Sequence, residues 1–262
     1  MSKTFKIINS DKRFVFLKEL LCNEGFKASF INSLDNIECD NLILPIPVTR
    51  DKVNFSETNI NINKLISNVN SKTNLFCGKK SLLNNLINKN IKLFDYSNNE
   101  MFLLKNAKLT SYGILNIIMK NTHKPFDELK FLISGFGRIG KILSNLLSNL
   151  KSKVYVLGHT QKDGFWINYN NLNNFSLKED LNFDFIINTV PDMIFSENII
   201  KKANKNTTFI EVASTPGIDK NACDKYNLKY ILSLGIPGKY FPKESAKIIK
   251  DSILNILNDG EK

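Results

Sequence analysis

Residues 130–143 read Lys-Phe-Leu-Ile-Ser-Gly-Phe-Gly-Arg-Ile-Gly-Lys-Ile-Leu, an apolar strand pattern running through Gly-x-Gly-x-x-Gly into a helical pattern. Few stretches restrict the backbone more. Gly135 admits a tight turn, Gly137 lets the backbone approach a pyrophosphate, and Gly140 lets the helix pack close on the strand. Ile139, Ile142, Leu143, Leu146, Leu147 and Leu150 then give that helix one apolar face. Phosphates would sit at its N-terminus, where N–H groups and the helix dipole favour negative charge. The candidate cofactor residues here are Gly135, Phe136, Gly137, Arg138, Ile139 and Gly140. A glycine-rich turn that holds no ligand is the bland alternative. The strand before it and the amphipathic helix after it favour a dinucleotide.

On either side of this stretch, strands alternate with helices, which predicts parallel sheets. Strand patterns cover residues 5–9, 26–31, 41–45, 73–78 and 91–95, with helices at 14–23 and 81–88 and a polar stretch at 48–72. A connector helix spans 106–121. Later strands cover 153–158, 183–188, 208–212 and 229–234, and residues 164–174 carry little helical character. The fold class is α/β, with two Rossmann-like parallel-sheet domains and a cleft between them. Residues 1–107 form a substrate or partner domain, and 108–241 form the dinucleotide domain. The apolar stripe of a final helix, 242–258, packs back across the junction.

Parallel strands hold ligands at their carboxyl ends. The tails Thr189-Val190-Pro191, Ser214-Thr215-Pro216-Gly217 and Gly235-Ile236-Pro237-Gly238-Lys239 therefore gather at one site. After the strand at 153–158, where an acid would bond the ribose 2′-hydroxyl of NAD, the chain reads His159-Thr160-Gln161-Lys162, with Asp163 too far along. That neutral-to-basic run favours NADP, with NAD possible.

The net charge of +11 comes from 36 Lys and Arg against 25 Asp and Glu. The lysines are spread along the whole chain with no basic-aromatic stripe, so no nucleic-acid partner is expected. No apolar run reaches the roughly 20 residues of a membrane span, and the start lacks a signal-peptide core. A cytoplasmic protein is expected. Four scattered cysteines and two histidines give no metal-ligand spacing, so no metal is expected either.

Taken together, Gly135–Gly140, Ile187-Asn188-Thr189-Val190-Pro191, Glu211–Gly217, and Gly235–Lys239 followed by Pro242-Lys243 resemble the family of dipicolinate synthase A subunits. The resemblance extends through Asp11-Lys12-Arg13, Ile43-Leu44-Pro45 and Thr110-Ser111-Tyr112-Gly113. It implies an enzyme of the mother cell of a sporulating bacterium. With a flavoprotein-like B subunit, such an enzyme oxidises dihydrodipicolinate to dipicolinate with NADP. A homo-oligomer is also possible. On that reading Arg13, Thr110, Ser111, Ser214, Thr215, Pro237, Gly238, Lys239 and Lys243 meet the dicarboxylate, while His159, Thr160, Thr189, Val190 and Pro191 border the cofactor. The chain departs from that family at Tyr112, where an acid is usual, and at Thr215 and His159, where arginines are usual.

No residue stands out as a proton-transfer group. A 2-hydroxyacid dehydrogenase would carry a histidine near the last strand, and no histidine follows His159. A dinucleotide-binding subunit that regulates or scaffolds without chemistry is the reading from a different class.

Overall fold

The computed structural model describes residues 3–31, 37–83 and 91–259. The chain divides into two compact units, one of Met1–Asn106 with Pro237–Lys262 and one of Ala107–Ile236.

The first unit begins with β1 (Thr4–Ile7), α1 (Lys12–Asn23), β2 (Lys27–Phe30) and β3 (Asn41–Ile43), followed by α2 (Ile62–Ser67), β4 (Asn74–Cys77) and β5 (Leu93–Asp95). Its sheet is wholly parallel, in the order β2-β1-β3-β4-β5. Leu42, Leu75 and Phe76 are fully buried, as expected of strands covered on both faces. Ile8, Leu44, Val48, Phe55, Ile62 and Leu65 join Leu42 and Leu75 in one apolar cluster. Lys80–Leu83 make a single 3-10 turn, and the rest of the predicted helix 81–88 lies outside the described residues.

The twenty-residue α3 (Glu100–Met119) crosses from one unit to the other. It starts before the predicted connector because the Asn99 side chain accepts the Phe102 N–H at 2.8 Å, an N-terminal cap that the sequence reading passed over.

The second unit runs β6 (Lys130–Ser134), α4 (Arg138–Asn149), β7 (Lys153–Leu157), α5 (Gln161–Tyr169) and β8 (Asn173–Asn174). It continues with β9 (Phe185–Asn188), α6 (Glu197–Ile200), β10 (Thr208–Glu211), α7 (Lys220–Lys225) and β11 (Lys229–Leu232). Its parallel sheet has the order β11-β10-β9-β6-β7-β8. Residues 164–174, read as nearly without helix, contain most of α5 and all of β8. A capping box between Thr160 and Asp163 starts α5, and that local signal outweighs the poor propensity of the Asn-rich run.

The last helices, α8 (Ile236–Tyr240) and α9 (Pro242–Asp259), return to the first unit, where α9 packs along α1. Lys250 of α9 pairs with Glu24 just past α1. Asn99 donates to the Ser252 hydroxyl at 2.6 Å.

Candidate functional site

Leu157, Ser134, Asn188, Glu211 and Leu232 lie in one register across β7, β6, β9, β10 and β11. The tails that follow these residues therefore emerge side by side. The strand order reverses between β6 and β9, the switch point where open α/β sheets take ligands.

Gly135 follows β6 with φ +94°, a left-handed conformation that favours glycine. A Cβ there would lie 2.6 Å from Val190 Cγ2 and 2.8 Å from Thr189 Oγ1. At Gly140, in the first turn of α4, a Cβ would collide with the Gly135 carbonyl oxygen. Gly137 differs from both. It is the N-cap of α4 at φ −75°, makes no side-chain cap, and has no atom within 4 Å of a Cβ position. The fold does not require glycine at this position. The open helix N-terminus leaves room there for a group such as a pyrophosphate to approach from outside. Lys141 N–H is bonded to Gly137 O at 2.9 Å, so the N–H groups of Ile139 and Gly140 have no acceptor inside the helix. Phe136 is buried with Lys141 Nζ 5.4 Å from its ring centre, and Arg138 is exposed at the first helical position.

Thr189 donates to Ser134 O from both its hydroxyl (2.7 Å) and its N–H (3.1 Å), fastening the β9 tail to β6. Val190 N–H donates to Asn188 Oδ1 at 3.2 Å, and Pro191 is exposed. Beyond β7, His159 and Thr160 are exposed. The Asp163 carboxylate accepts from His159 N–H, Thr160 N–H and the Thr160 hydroxyl at 2.9–3.2 Å. It is therefore engaged by its own loop.

Two residues with no assigned role in the sequence reading organise these tails. Glu211, fully buried, accepts from the N–H groups of Ala213 (2.9 Å), Gly217 (2.7 Å) and Ile218 (3.1 Å). Asn188 Nδ2 donates to both Glu211 oxygens (3.0 and 3.1 Å) and to Val190 O at 2.8 Å. This carboxylate shapes the loop that carries Ser214 and Thr215 to the surface. An acid inside the apolar run Thr208-Phe209-Ile210-Glu211 was the available signal.

In the first unit, Asp11 caps α1 and grips Arg13 through Nε (2.9 Å) and Nη2 (2.6 Å). Arg13 Nη2 also donates to Ile46 O at 3.0 Å. Burial works against the Arg13 charge, but the Asp11 hydrogen bonds and charge hold its pKa above the ordinary arginine value. A Cβ on Gly238 would fall 2.7 Å from Arg13 Nε. Arg13 and the turn containing Pro237, Gly238 and Lys239 are thus brought together, with Lys239 and Lys243 exposed and Pro237 buried. Ser111 is placed differently. Its hydroxyl is fully buried and donates to Ala107 O at 3.0 Å inside α3, while Thr110 is buried on the same helix.

A cavity of about 610 Å³ opens at the carboxyl ends of β4 and β5, lined by Ile46, Lys79, Lys80, Ser97, Asn98 and Asn106 among others. Lys79 and Lys80 had no assigned role in the sequence reading. A larger cavity, about 1180 Å³, opens at the amino ends of the same sheet, and neither cavity is lined by a candidate residue from the sequence. The carboxyl end is the better site, because parallel strands converge their ligand groups there. Among the described residues no cluster of His, Cys, Asp and Glu could hold a metal ion, and no helix is long and apolar enough to cross a membrane.

No family model matches the chain. Over 250 residues it is 24% identical to the A subunit of dipicolinate synthase from Bacillus subtilis (strain 168), covering 90% of this chain and 84% of that one. The crystal structure of the dipicolinate synthase A chain from Bacillus subtilis aligns with a TM-score of 0.83 at 20% identity, covering 100% of this chain and 98% of that one. Salmonella D-lactate dehydrogenase aligns at 0.68 and 9% identity, covering 97% and 95%. The resemblance read from the motifs is borne out along nearly the whole sequence, and the fold is dehydrogenase-like.

Proposed function

We propose that this protein is an NAD(P)-dependent oxidoreductase that converts dihydrodipicolinate to dipicolinate. Gly137 carries the reading: neither φ nor packing demands a glycine there, and it is set at the α4 N-terminus on the switch point. A dinucleotide bound there supplies the two-electron acceptor. The similarity to the A subunit of dipicolinate synthase supports the substrate. So do the cations Arg13, Lys79, Lys239 and Lys243 in the first unit, which suit a compound bearing two carboxylates.

Loss of one hydride and one proton aromatises the ring, so the protein's main task is to hold the reacting carbon in place. The α4 N-terminus takes the pyrophosphate, and the tail Thr189–Pro191 borders it. Arg13 is preset by Asp11 and Ile46 O, which leaves Nη1 to bond a carboxylate. Ser214 and Thr215 offer hydroxyls from the loop that Glu211 shapes. NADP is the favoured cofactor, with NAD possible. Asp163 is drawn into the α5 cap, and the exposed His159-Thr160-Gln161-Lys162 run tolerates a 2′-phosphate. A B subunit completes the enzyme in the cytoplasm of a sporulating mother cell.

A second reading is a dinucleotide-binding subunit without chemistry of its own. It is favoured by one observation: Asp11, Asp163 and Glu211, three acids beside the strand tails, are each engaged in hydrogen bonds to their own loops. To separate the readings, the protein is given dihydrodipicolinate with NADP or NAD, with and without a B subunit, and dipicolinate absorbance is followed. Product is expected. Measurable cofactor binding with no product in any mixture would establish the second reading instead.

A further inference from the structure

Among the described residues, six that are not glycine have positive φ: Lys52, Glu57, Lys79, Lys151, Asn171 and Asn227. Three of them sit where such a backbone is ordinary. Lys151, Asn171 and Asn227 directly follow the C-cap residues of α4, α5 and α7, where chains commonly turn left-handed. The other three lie in the loops that leave the carboxyl ends of β3 and β4. Lys52 and Glu57 are tied to their own loop. Lys52 N–H donates to Thr49 Oγ1 at 3.0 Å, and Glu57 pairs with Arg50 at 3.3 Å. Lys79, at φ +63°, instead lines the cavity of about 610 Å³ at the ends of β4 and β5, which neither of the others does.

A left-handed backbone is unfavourable for lysine and persists where the surroundings enforce it. Here one carboxylate does so. Lys79 N–H donates to Ser97 Oγ at 3.1 Å, and Ser97 donates to Asp95 Oδ1 from its hydroxyl (2.7 Å) and its N–H (2.9 Å). Lys80 N–H donates to Asp95 Oδ2 at 2.7 Å. The two ammonium groups then part. Lys80 Nζ donates to Leu93 O at 2.9 Å, back on β5. The Lys79 side chain makes no hydrogen bond or ion pair among the described residues. Ile46, in the same cavity wall, connects it to Arg13: its carbonyl accepts Arg13 Nη2 at 3.0 Å, and a Cβ on Gly78 would collide with its side chain. The loop that carries Lys79 is thus pressed against the residue that Arg13 holds. A lysine fixed in a conformation natural to glycine, with its charge unspent in a cavity, suits a ligand that needs that charge.

We propose that Lys79 takes the second carboxylate of the substrate while Arg13 takes the first, so that the site selects a ring with two acid groups over a ring with one. This rests on the diacid reading given above. Isothermal titration calorimetry compares pyridine-2,6-dicarboxylate with pyridine-2-carboxylate in the presence of NADP, a mixture that cannot react because acid and cofactor are both oxidised. Wild type should bind the diacid about tenfold more tightly or better, as one charge-assisted contact implies. Lys79→Gly should abolish that preference, weakening the diacid to the level of the monoacid and leaving the monoacid unchanged. Its melting temperature should stay within a few degrees of wild type, because glycine adopts this φ freely. Lys79→Arg should keep the preference. A Lys79→Gly variant that still prefers the diacid, or that weakens both acids equally, overturns the role of Lys79 and leaves the diacid reading standing. Wild type that binds neither acid, or both alike, overturns the two together.

Discussion

Gly137 and Gly140 stand three residues apart and are glycine for different reasons, which separates two phenotypes. At Gly140 a side chain meets the Gly135 carbonyl, so Gly140→Ala disturbs the fold. Gly137 is open, with an extended backbone that any residue adopts. Gly137→Val should therefore leave the melting temperature within a few degrees of wild type while weakening NADP binding more than tenfold, about 1.4 kcal/mol. Fluorescence titration beside a thermal melt checks both. Glu211 makes the opposite case. Glu211→Gln replaces an acceptor of three backbone N–H groups with an amide whose own N–H groups face them. It should cost about 2 kcal/mol or more in urea unfolding and raise KM for the dicarboxylate by displacing Ser214 and Thr215. At this scale the glycines were legible because each answers to a simple steric rule. Glu211 was not, because its partners are backbone groups of a loop whose path the sequence does not specify. The grip of Asp11 on the Arg13 side chain two residues on was not read either.

Among the elements, α5 shows how two residues start a helix that propensity alone disfavours. The Thr160–Asp163 capping box bonds both ends of the first turn. Burial pushes the Asp163 carboxyl up, but the N–H and hydroxyl groups of Thr160, the His159 N–H and the nearby Lys141 outweigh it. The net shift is below the ordinary 3.8. With a folded-state pKa below the unfolded one, the contribution is complete above the unfolded value and is lost as pH falls through the folded one. The stability gap between wild type and Asp163→Ala, about 1 kcal/mol for a cap of this kind, should hold at pH 7. It should narrow below about pH 4 and close in stronger acid. Thermal melts across that range test it. Strands with continuous apolar runs, such as β6 and β9, were read close to their observed bounds. The two-residue β8 and the short α6 and α7 were not, since so few residues give no period to read.

At the scale of the molecule, the first unit is discontinuous in sequence, and α9 completes it. Phe14, Leu17 and Leu21 of α1 are fully buried, and α9 contributes Ala246, Ile249 and Ile253 to the interior. Ending the chain before Pro242 removes this cover and the Lys250–Glu24 pair. Such a truncation should bind 8-anilinonaphthalene sulfonate strongly and lose solubility, and a truncated protein that melts like wild type would refute the role given to α9. An apolar stripe in the final helix was plain from the sequence. Packing back across the junction was expected, but α1 as the element it meets was not, because contacts between elements far apart in the chain leave no local pattern.

That late closure sets an order of events at the ribosome. About 220 residues separate the end of α1 from the start of α9. At roughly 5–20 residues per second, synthesis spends on the order of 10–45 s with α1 already made and its covering helix not yet translated. The second unit, contiguous in sequence, has all its strands translated within that interval. The part of the protein that is made first is therefore the part that finishes last, and during the wait its apolar helix face is what a chaperone would meet.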